Sequence, residues 1–213
     1  MKCDKKSMLL YAVTDRTWLK EQRLTEQVEE ALKGGATLIQ LREKELDEDV
    51  FLDEAKKIKA LCDCYHVPFI INDNVEIAIA CDADGVHVGQ SDMEAQNVRA
   101  RLGDNKIIGV SAKTVEQAIL AEQSGADYLG VGAVFFTSTK LGAGAVSKET
   151  LKAICKAVAI PIVAIGGIGE HNIMELTGTG IDGVAVVSAL FAQPDIKKAT
   201  QNLRAMSEKM VKG

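Results

Sequence analysis

The sequence has no long apolar run, little proline and no excess of positive charge, and each deficit excludes a class of protein. No stretch approaches the ~18 consecutive apolar residues of a membrane-spanning helix, so we expect no membrane span. The formal net charge of −5 disfavours a protein whose main task is to hold a nucleic-acid backbone. Three prolines against 18 glycines argue against a disordered chain and for tight turns between regular elements.

Cysteine is also sparse, and its five copies are odd in number and scattered. This usage predicts a reduced, cytoplasmic protein, and the apolar stretch 8–13 is too short for a signal-peptide core. Cys62, Cys64 and His66 are spaced like metal ligands, but no second ligand pair accompanies them. We therefore interpret them as an ordinary helix end.

Eight short apolar runs alternate with amphipathic stretches along the chain. Such runs are typical of strands buried on both faces, and strand–helix alternation predicts a parallel sheet. The predicted strands are 9–13, 37–41, 68–71, 85–88, 107–110, 128–134, 161–165 and 183–187. The predicted helices are 24–34, 47–65, 74–81, 94–102, 114–125, 148–158, 170–178 and 195–210.

Every second strand opens with the same short motif, which indicates a repeat. In three of the four copies a glycine ends the preceding helix, where a left-handed turn is needed. The residue that then leads into the strand is Thr37, Asp84, Asp127 or Asp182. The repeating unit is therefore a double strand–helix unit that occurs four times.

Eight strand–helix units that close on themselves form a (β/α)8 TIM barrel. At about 27 residues per unit, 213 residues suffice for one lean barrel and leave no room for a second domain. We predict an α/β protein with a single TIM-barrel domain over 1–213, in which 1–7 form a polar N-terminal extension. The alternative is an open doubly wound sheet, which rarely needs eight evenly spaced strands.

Polar residues follow the second, third and fourth predicted strands, at the barrel end that carries chemistry. Gln40, Arg42 and Lys44 suit a polyanion such as diphosphate, although a solvated charged loop is the alternative. Asp73 and Asp92 follow neighbouring strands and could share one Mg²⁺, although helix capping accounts for either of them singly. We interpret His87, inside the fourth strand, as a packing residue.

A second anion site is predicted at strands six to eight. Hydroxyl side chains and a lysine follow the sixth strand at 137–140, and Gly166 and Gly167 follow the seventh. Barrels often hold a phosphate on the loops after strands seven and eight. No Ser–His–acid set and no Walker or dinucleotide loop is evident. The two sites together indicate metal-assisted departure of pyrophosphate, with a second, phosphorylated substrate as acceptor.

These residues resemble the thiamine phosphate synthase family over nearly the whole chain. Six motifs occur in the family's order: QLREK at 40–44, PFIIND at 68–73, HVGQSD at 87–92, GVSA at 109–112, TSTK at 137–140 and IGGI at 165–168. The resemblance implies a (β/α)8 barrel that joins two small-molecule substrates, with no nucleic-acid or membrane partner. The oligomeric state is left open, a homo-oligomer included.

The implied reaction condenses 4-amino-5-hydroxymethyl-2-methylpyrimidine diphosphate with 4-methyl-5-(2-hydroxyethyl)thiazole phosphate. Diphosphate leaves with the help of Mg²⁺, and the thiazole nitrogen captures the resulting pyrimidine carbocation. The family's motifs assign the diphosphate to Gln40, Arg42, Lys44, Asn72 and Lys140, the pyrimidine to Ser111 and Mg²⁺ to Asp73 and Asp92. They assign the thiazole phosphate to Thr137, Ser138, Thr139, Gly167, Val187 and Ser188.

Two positions depart from the family pattern. Phe136 stands where the family usually has proline, and Lys113 stands where the family often has histidine. Two alternatives stay open on the same barrel. A related thiazole tautomerase would be expected to use a histidine near Lys113, and a non-catalytic phosphate-binding paralogue would be expected to lack Asp73, Asp92 or Lys140.

Overall fold

The computed structural model describes residues 3–19, 22–89, 95–136 and 146–213. Within them, eight parallel strands form a closed barrel in the order β1 to β8. The strands are β1 Leu10–Val13, β2 Leu38–Leu41, β3 Phe69–Asn72, β4 Gly85–Val88, β5 Ile107–Ala112, β6 Tyr128–Gly132, β7 Ile162–Ile165 and β8 Gly183–Val186. The predicted TIM barrel is therefore confirmed, and the open sheet is not the fold.

Helices surround the barrel and follow its strands. They are α1 Leu24–Gly34, α2 Glu48–Cys64, α3 Val75–Ala80, α4 Ala95–Leu102, α5 Val115–Gln123, α6 Lys148–Ala157, α7 Ser188–Phe191 and α8 Ile196–Lys212. No helix in these described ranges is long and apolar enough to cross a membrane. Buried side chains between strands and helices form the main apolar layer, while a second cluster that includes Met8, Leu38, Ile70 and Val163 fills the barrel interior.

One predicted helix is wrong. The segment 170–178 forms only a single 3-10 turn, Ile173–Leu176. Asn172 accepts a hydrogen bond from Gly169 N and donates one to Gly167 O, so its side chain offers the backbone a local alternative to a helix. The short helix α7 after β8 was not predicted.

The fourfold motif is a set of clamps at the amino-terminal end of the barrel, which we call the lower rim. Each motif residue makes two hydrogen bonds with one residue near the start of the preceding strand. Its backbone N–H donates to the carbonyl oxygen of that residue, and its side-chain oxygen accepts the backbone N–H of the same residue. The side-chain bonds measure 2.8–2.9 Å and pair Thr37 with Leu10, Asp84 with Phe69, Asp127 with Ile108, and Asp182 with Ile162. The repeat found in the sequence therefore fixes the start of every second strand to the start of the strand before it.

Each aspartate of the lower rim also faces a cation. Asp127 accepts from Arg99 at 2.6 Å, Asp182 lies 2.9 Å from Lys5, and Asp84 lies 3.8 Å from Lys59. Lys5 belongs to the 3-10 turn Lys5–Met8, so part of the predicted N-terminal extension packs under the barrel. The carboxylates at this end thus have backbone and cationic partners within the fold.

Candidate active site

The carboxyl ends of the strands form the opposite rim, which we call the upper rim. Of the predicted site residues, Gln40 and Asn72 end their strands or nearly so, Ser111 lies at the end of β5, and Arg42 follows β2 directly. Val187 follows β8 directly, and Gly167 is the second residue after β7. The barrel topology therefore brings residues that are distant in sequence to one end of the molecule, as predicted.

A cavity opens on the upper rim between the segments that follow β1 and β2. Arg42 Nη1 lies 3.6 Å from Asp15 Oδ2, a distance beyond a hydrogen bond, and Lys44 is exposed. The cavity is lined by Asp15, Arg16, Thr17, Arg42, Glu43, Lys44 and Glu45. Positive and negative side chains are equal in number here, so the cavity has no net charge. An anion that binds in it would therefore have to pair with particular cations.

Arg16 pairs with two glutamates, of which Glu43 lines the cavity and Glu54 does not. Its Nε donates to both carboxylate oxygens of Glu43 at 2.8 Å, and its guanidinium also pairs with Glu54. Burial raises the pKa of Glu43, and the hydrogen bond from Arg16 opposes that rise. Arg16 is therefore engaged within the protein, which leaves Arg42 and Lys44 as the cations best placed for a ligand.

Gln40 lies deeper than Arg42, inside the barrel. Its side chain is buried, with 4% of its surface exposed, and its Nε2 donates to Tyr11 Oη at 2.6 Å. The backbone beside it is held by Thr14, whose hydroxyl accepts the N–H of Arg42 at 3.1 Å. The assignment of Gln40 to a diphosphate stays a prediction.

Asp73 follows β3 with a backbone φ of +61°, in the left-handed region that a non-glycine residue seldom adopts. Asn72 Nδ2 donates to its carboxylate at 2.6 Å. The cap of helix α3 is the next residue, Asn74, whose side chain accepts the N–H of Ile77. Helix capping therefore does not account for Asp73, and its exposed carboxylate suits a hard cation such as Mg²⁺.

Its proposed partner for the metal, Asp92, lies outside the described residues, as do Thr137, Ser138, Thr139 and Lys140. Within the described ranges, no group of three or more His, Cys, Asp or Glu side chains could hold a metal ion. Helix α2 ends at Cys64, with Cys62 buried and Cys64 exposed.

A chain of hydrogen bonds crosses the barrel interior beneath the rim. Tyr11 Oη lies 2.8 Å from Tyr128 Oη, Tyr128 Oη lies 2.9 Å from His87 Nδ1, and His87 Nε2 lies 3.0 Å from Ser111 Oγ. His87 is thus tied to Ser111, and the interpretation of His87 as a packing residue overlooked this bond. Tyr11 and Tyr128 were missed altogether.

A sequence signal for the two tyrosines did exist. The chain has only three tyrosines, and two of them fall inside predicted buried strands, where a hydroxyl needs a partner. Two glycines leave space for the rings of Tyr128 and His87. A Cβ at Gly109 would overlap the Tyr128 ring, and a Cβ at Gly130 would lie 3.0 Å from His87 Cε1.

The predicted phosphate side combines the segments after β6, β7 and β8. Gly167 has a φ of +67°, and a Cβ there would overlap the carbonyl oxygen of Phe136. Glycine is therefore required at this position by the crossing of the segment that follows β6. Val187 precedes the short helix α7, whose first residue is Ser188.

The two departures from the family pattern lie on the surface. Phe136 is 94% exposed, and Lys113 is exposed as well. The backbone N–H of Lys113 donates to Gln117, which ties the end of β5 to helix α5. Neither residue contributes to the buried interior of the barrel.

Comparison with known proteins shows the family. A sequence model of the family described as thiamine monophosphate synthase matches residues 10–190. A thiamine-phosphate synthase of Clostridium tetani is 53% identical over 91% of this chain and 93% of the relative. The enzyme of that name from Clostridioides difficile is 49% identical over 92% of this chain and 94% of the relative.

Solved structures agree with this assignment. The thiamine phosphate pyrophosphorylase of Pyrococcus furiosus superposes with a TM-score of 0.90 at 40% identity, over 97% of this chain and 98% of that one. These names favour a synthase over the tautomerase and the non-catalytic paralogue. The chain therefore belongs to the thiamine monophosphate synthase family and is a transferase of thiamine biosynthesis with thiamine-phosphate synthase activity.

Proposed function

We propose that the enzyme joins 4-amino-5-hydroxymethyl-2-methylpyrimidine diphosphate to 4-methyl-5-(2-hydroxyethyl)thiazole phosphate through a pyrimidine carbocation. The observation that carries this proposal is the exposed carboxylate of Asp73. It stands on the upper rim in a left-handed backbone conformation that capping does not explain. Asp73 follows β3, and the cations Arg42 and Lys44 follow the neighbouring strand β2.

The diphosphate would bind between these elements. Arg42 presents a planar guanidinium that matches two phosphate oxygens at once, and Lys44 adds a mobile point charge. Asn72, Gln40 and Lys140 complete the predicted contacts. Asp73 and Asp92 would hold Mg²⁺, which when bound supplies positive charge beside the departing diphosphate.

The thiazole phosphate would bind across the rim from this pocket. Gly167 and Val187 lie in the segments after β7 and β8, a common phosphate position in TIM barrels, and α7 begins at Ser188. Thr137, Ser138 and Thr139 would add hydroxyl donors. The two substrates would thus be held at separate anion sites with their reacting atoms facing each other.

Bond changes in this reaction balance without a covalent enzyme intermediate. The bond between the pyrimidine methylene carbon and the diphosphate oxygen breaks, and the oxygen keeps the electron pair. The thiazole nitrogen then gives its lone pair to the methylene carbon and becomes positively charged. The protein's own residues bind both anions, orient the pyrimidine near Ser111 and stabilise charge, so no nucleophile or general base is required.

Incubation of the purified protein with both precursors and Mg²⁺ tests the proposal. We expect equal amounts of thiamine phosphate and pyrophosphate, and a loss of both when a chelator removes the divalent cation. A folded protein that forms neither product under these conditions would contradict the proposed function. Undiminished turnover in the presence of the chelator would contradict only the role of Mg²⁺ and not the reaction itself.

A further inference from the structure

The hydrogen-bonded chain inside the barrel joins side chains from five strands. Gln40 comes from β2, Tyr11 from β1, Tyr128 from β6, His87 from β4 and Ser111 from β5. Both ring nitrogens of His87 take part, Nδ1 with Tyr128 and Nε2 with Ser111. The chain crosses the barrel interior from Gln40, near the end of β2, to Ser111, which lies near the end of β5 and is half-buried.

The chain has a direction, because its buried end is a donor. Gln40 Nε2 donates to Tyr11 Oη, so the Tyr11 hydroxyl hydrogen is left for Tyr128. In this direction Tyr128 donates to His87 Nδ1, 2.9 Å away, and the ring proton of a neutral His87 lies on Nε2. Burial raises the pKa of both tyrosines, which keeps both hydroxyls protonated.

That direction decides the role of the serine hydroxyl. With the ring proton on Nε2, His87 donates to Ser111 Oγ, 3.0 Å away, and the serine hydroxyl hydrogen is directed to an acceptor other than His87. In the opposite direction, Tyr11 Oη would accept from both Gln40 and Tyr128, and its own hydrogen would lack an acceptor within the chain of bonds. A buried hydroxyl without an acceptor is costly, so the first direction is favoured.

We propose that Tyr11 and Tyr128 are positioning residues of the active site. They hold His87 in its Nε2–H tautomer, so Ser111 donates its hydroxyl hydrogen to an acceptor atom of the bound pyrimidine, such as a ring nitrogen. The assignment of the ligand rests on the proposed function. The tautomer of His87 does not, because it is argued from the bonds that link Gln40, Tyr11, Tyr128 and His87.

Replacement of the tyrosines by phenylalanine separates positioning from packing. Tyr128→Phe keeps the ring in the space beside Gly109 and removes only the hydroxyl that holds His87. Tyr11→Phe breaks the preceding bond and serves if the first variant folds poorly. Tyr65→Phe is the matched control, because Tyr65 follows helix α2 on the outside and bonds to Glu29.

Kinetics test the effect on the reaction. For Tyr128→Phe we expect kcat/KM for the pyrimidine diphosphate to fall about tenfold to a hundredfold, as on removal of other supporting hydrogen bonds. KM for the thiazole phosphate should stay within about twofold, and Tyr65→Phe should match the wild type in both. Wild-type kinetics in Tyr128→Phe and Tyr11→Phe would overturn the proposal.

Nitrogen-15 spectra of histidine test the tautomer independently of turnover. The chain has three histidines, so His66→Gln and His171→Gln suffice to assign the His87 signals. We expect a protonated Nε2 and an unprotonated Nδ1 in the wild type, with this preference lost in Tyr128→Phe. A wild-type proton on Nδ1 would overturn the proposal, whereas failure of the wild type to make product would contradict only the proposed function.

Discussion

Aspartates stand at both ends of the barrel strands, and the two rims use them differently. On the lower rim, Asp127 and Asp182 each accept a backbone N–H and face a cation of the same chain. On the upper rim, Asp73 stands exposed beside Asn72 while Asn74 caps the helix in its place. The residue type is the same, so its role is decided by the end of the strand on which it lies.

This contrast has a physical cause. The lower rim joins helix ends to strand starts, and unpaired N–H groups buried there would cost free energy. The motif residues supply those acceptors. The upper rim has pairs of its own, since Arg16 is bonded to Glu43, but Arg42 lies 3.6 Å from Asp15, a distance beyond a hydrogen bond, and Lys44 is exposed.

The largest effect is expected at the upper rim. Asp73→Asn keeps a residue that tolerates a positive φ and removes the negative charge. We expect kcat/KM for thiamine phosphate formation to fall by a factor of about 100 or more, with Tm almost unchanged, because the lost carboxylate acts on the reaction. Full activity at limiting Mg²⁺ would remove Asp73 from the site.

Asp127→Ala should have the opposite signature. Ile108 N–H would lose its acceptor and Arg99 its carboxylate partner, so we expect the free energy of unfolding to fall by about 2–3 kcal/mol. Denaturant titration measures this loss, and kcat at a permissive temperature should stay near that of the wild type. Asp127→Asn keeps an acceptor oxygen and should lose less. Equal losses in both variants would contradict the clamp.

A smaller loss is expected where the clamp is uncharged. Thr37→Val preserves the shape of the side chain and removes the hydroxyl, which accepts Leu10 N–H and lies 3.0 Å from the carbonyl oxygens of Ser7 and Leu10, to which it can donate. Because neutral hydrogen bonds are lost and no ion pair, we expect about 1–2 kcal/mol less stability, measured in the same titration. Unchanged stability would show that the side chain of Thr37 does not stabilise the lower rim, although its position in the sequence matches the repeat.

The smallest effect concerns thiol reactivity. Burial raises the pKa of Cys3, beneath the barrel, and of Cys62 to about 12, and that of Cys155 to about 11. At pH 8 these groups are almost entirely thiols, and the reactive thiolate increases about tenfold for each added pH unit. Iodoacetamide at pH 8, followed by mass spectrometry, should modify the exposed Cys64 first. Early modification of Cys3 would mean that the lower rim is open to solvent.

Much of the fold could be predicted from the sequence, because its signals are local. Strand–helix alternation and the motif before every second strand each lie within a few residues, and they led to eight strands in the correct order. The segment 170–178 failed because a side chain, Asn172, competes with helix formation there. That competition depends on bonds that hydrophobic periodicity does not report.

The candidate site was predicted less completely, because its side-chain bonds join residues that are far apart in the sequence. Position after a strand was enough to place Arg42 and Asp73 on one rim, and only the structure showed that Asn74, not Asp73, caps helix α3. Tyr11 and Tyr128 are 117 residues apart and come within hydrogen-bond distance only when the barrel closes.

The sequence by itself therefore determined the barrel, its fourfold repeat and the family to which the chain belongs. Only the tertiary structure decided which aspartates next to the strands accept backbone N–H groups on the lower rim, and that Asp73 on the upper rim is exposed. It also decided that His87 is one link in a chain of bonds from Gln40 to Ser111. Local patterns follow from neighbouring residues, whereas partners across a closed barrel are set by its geometry.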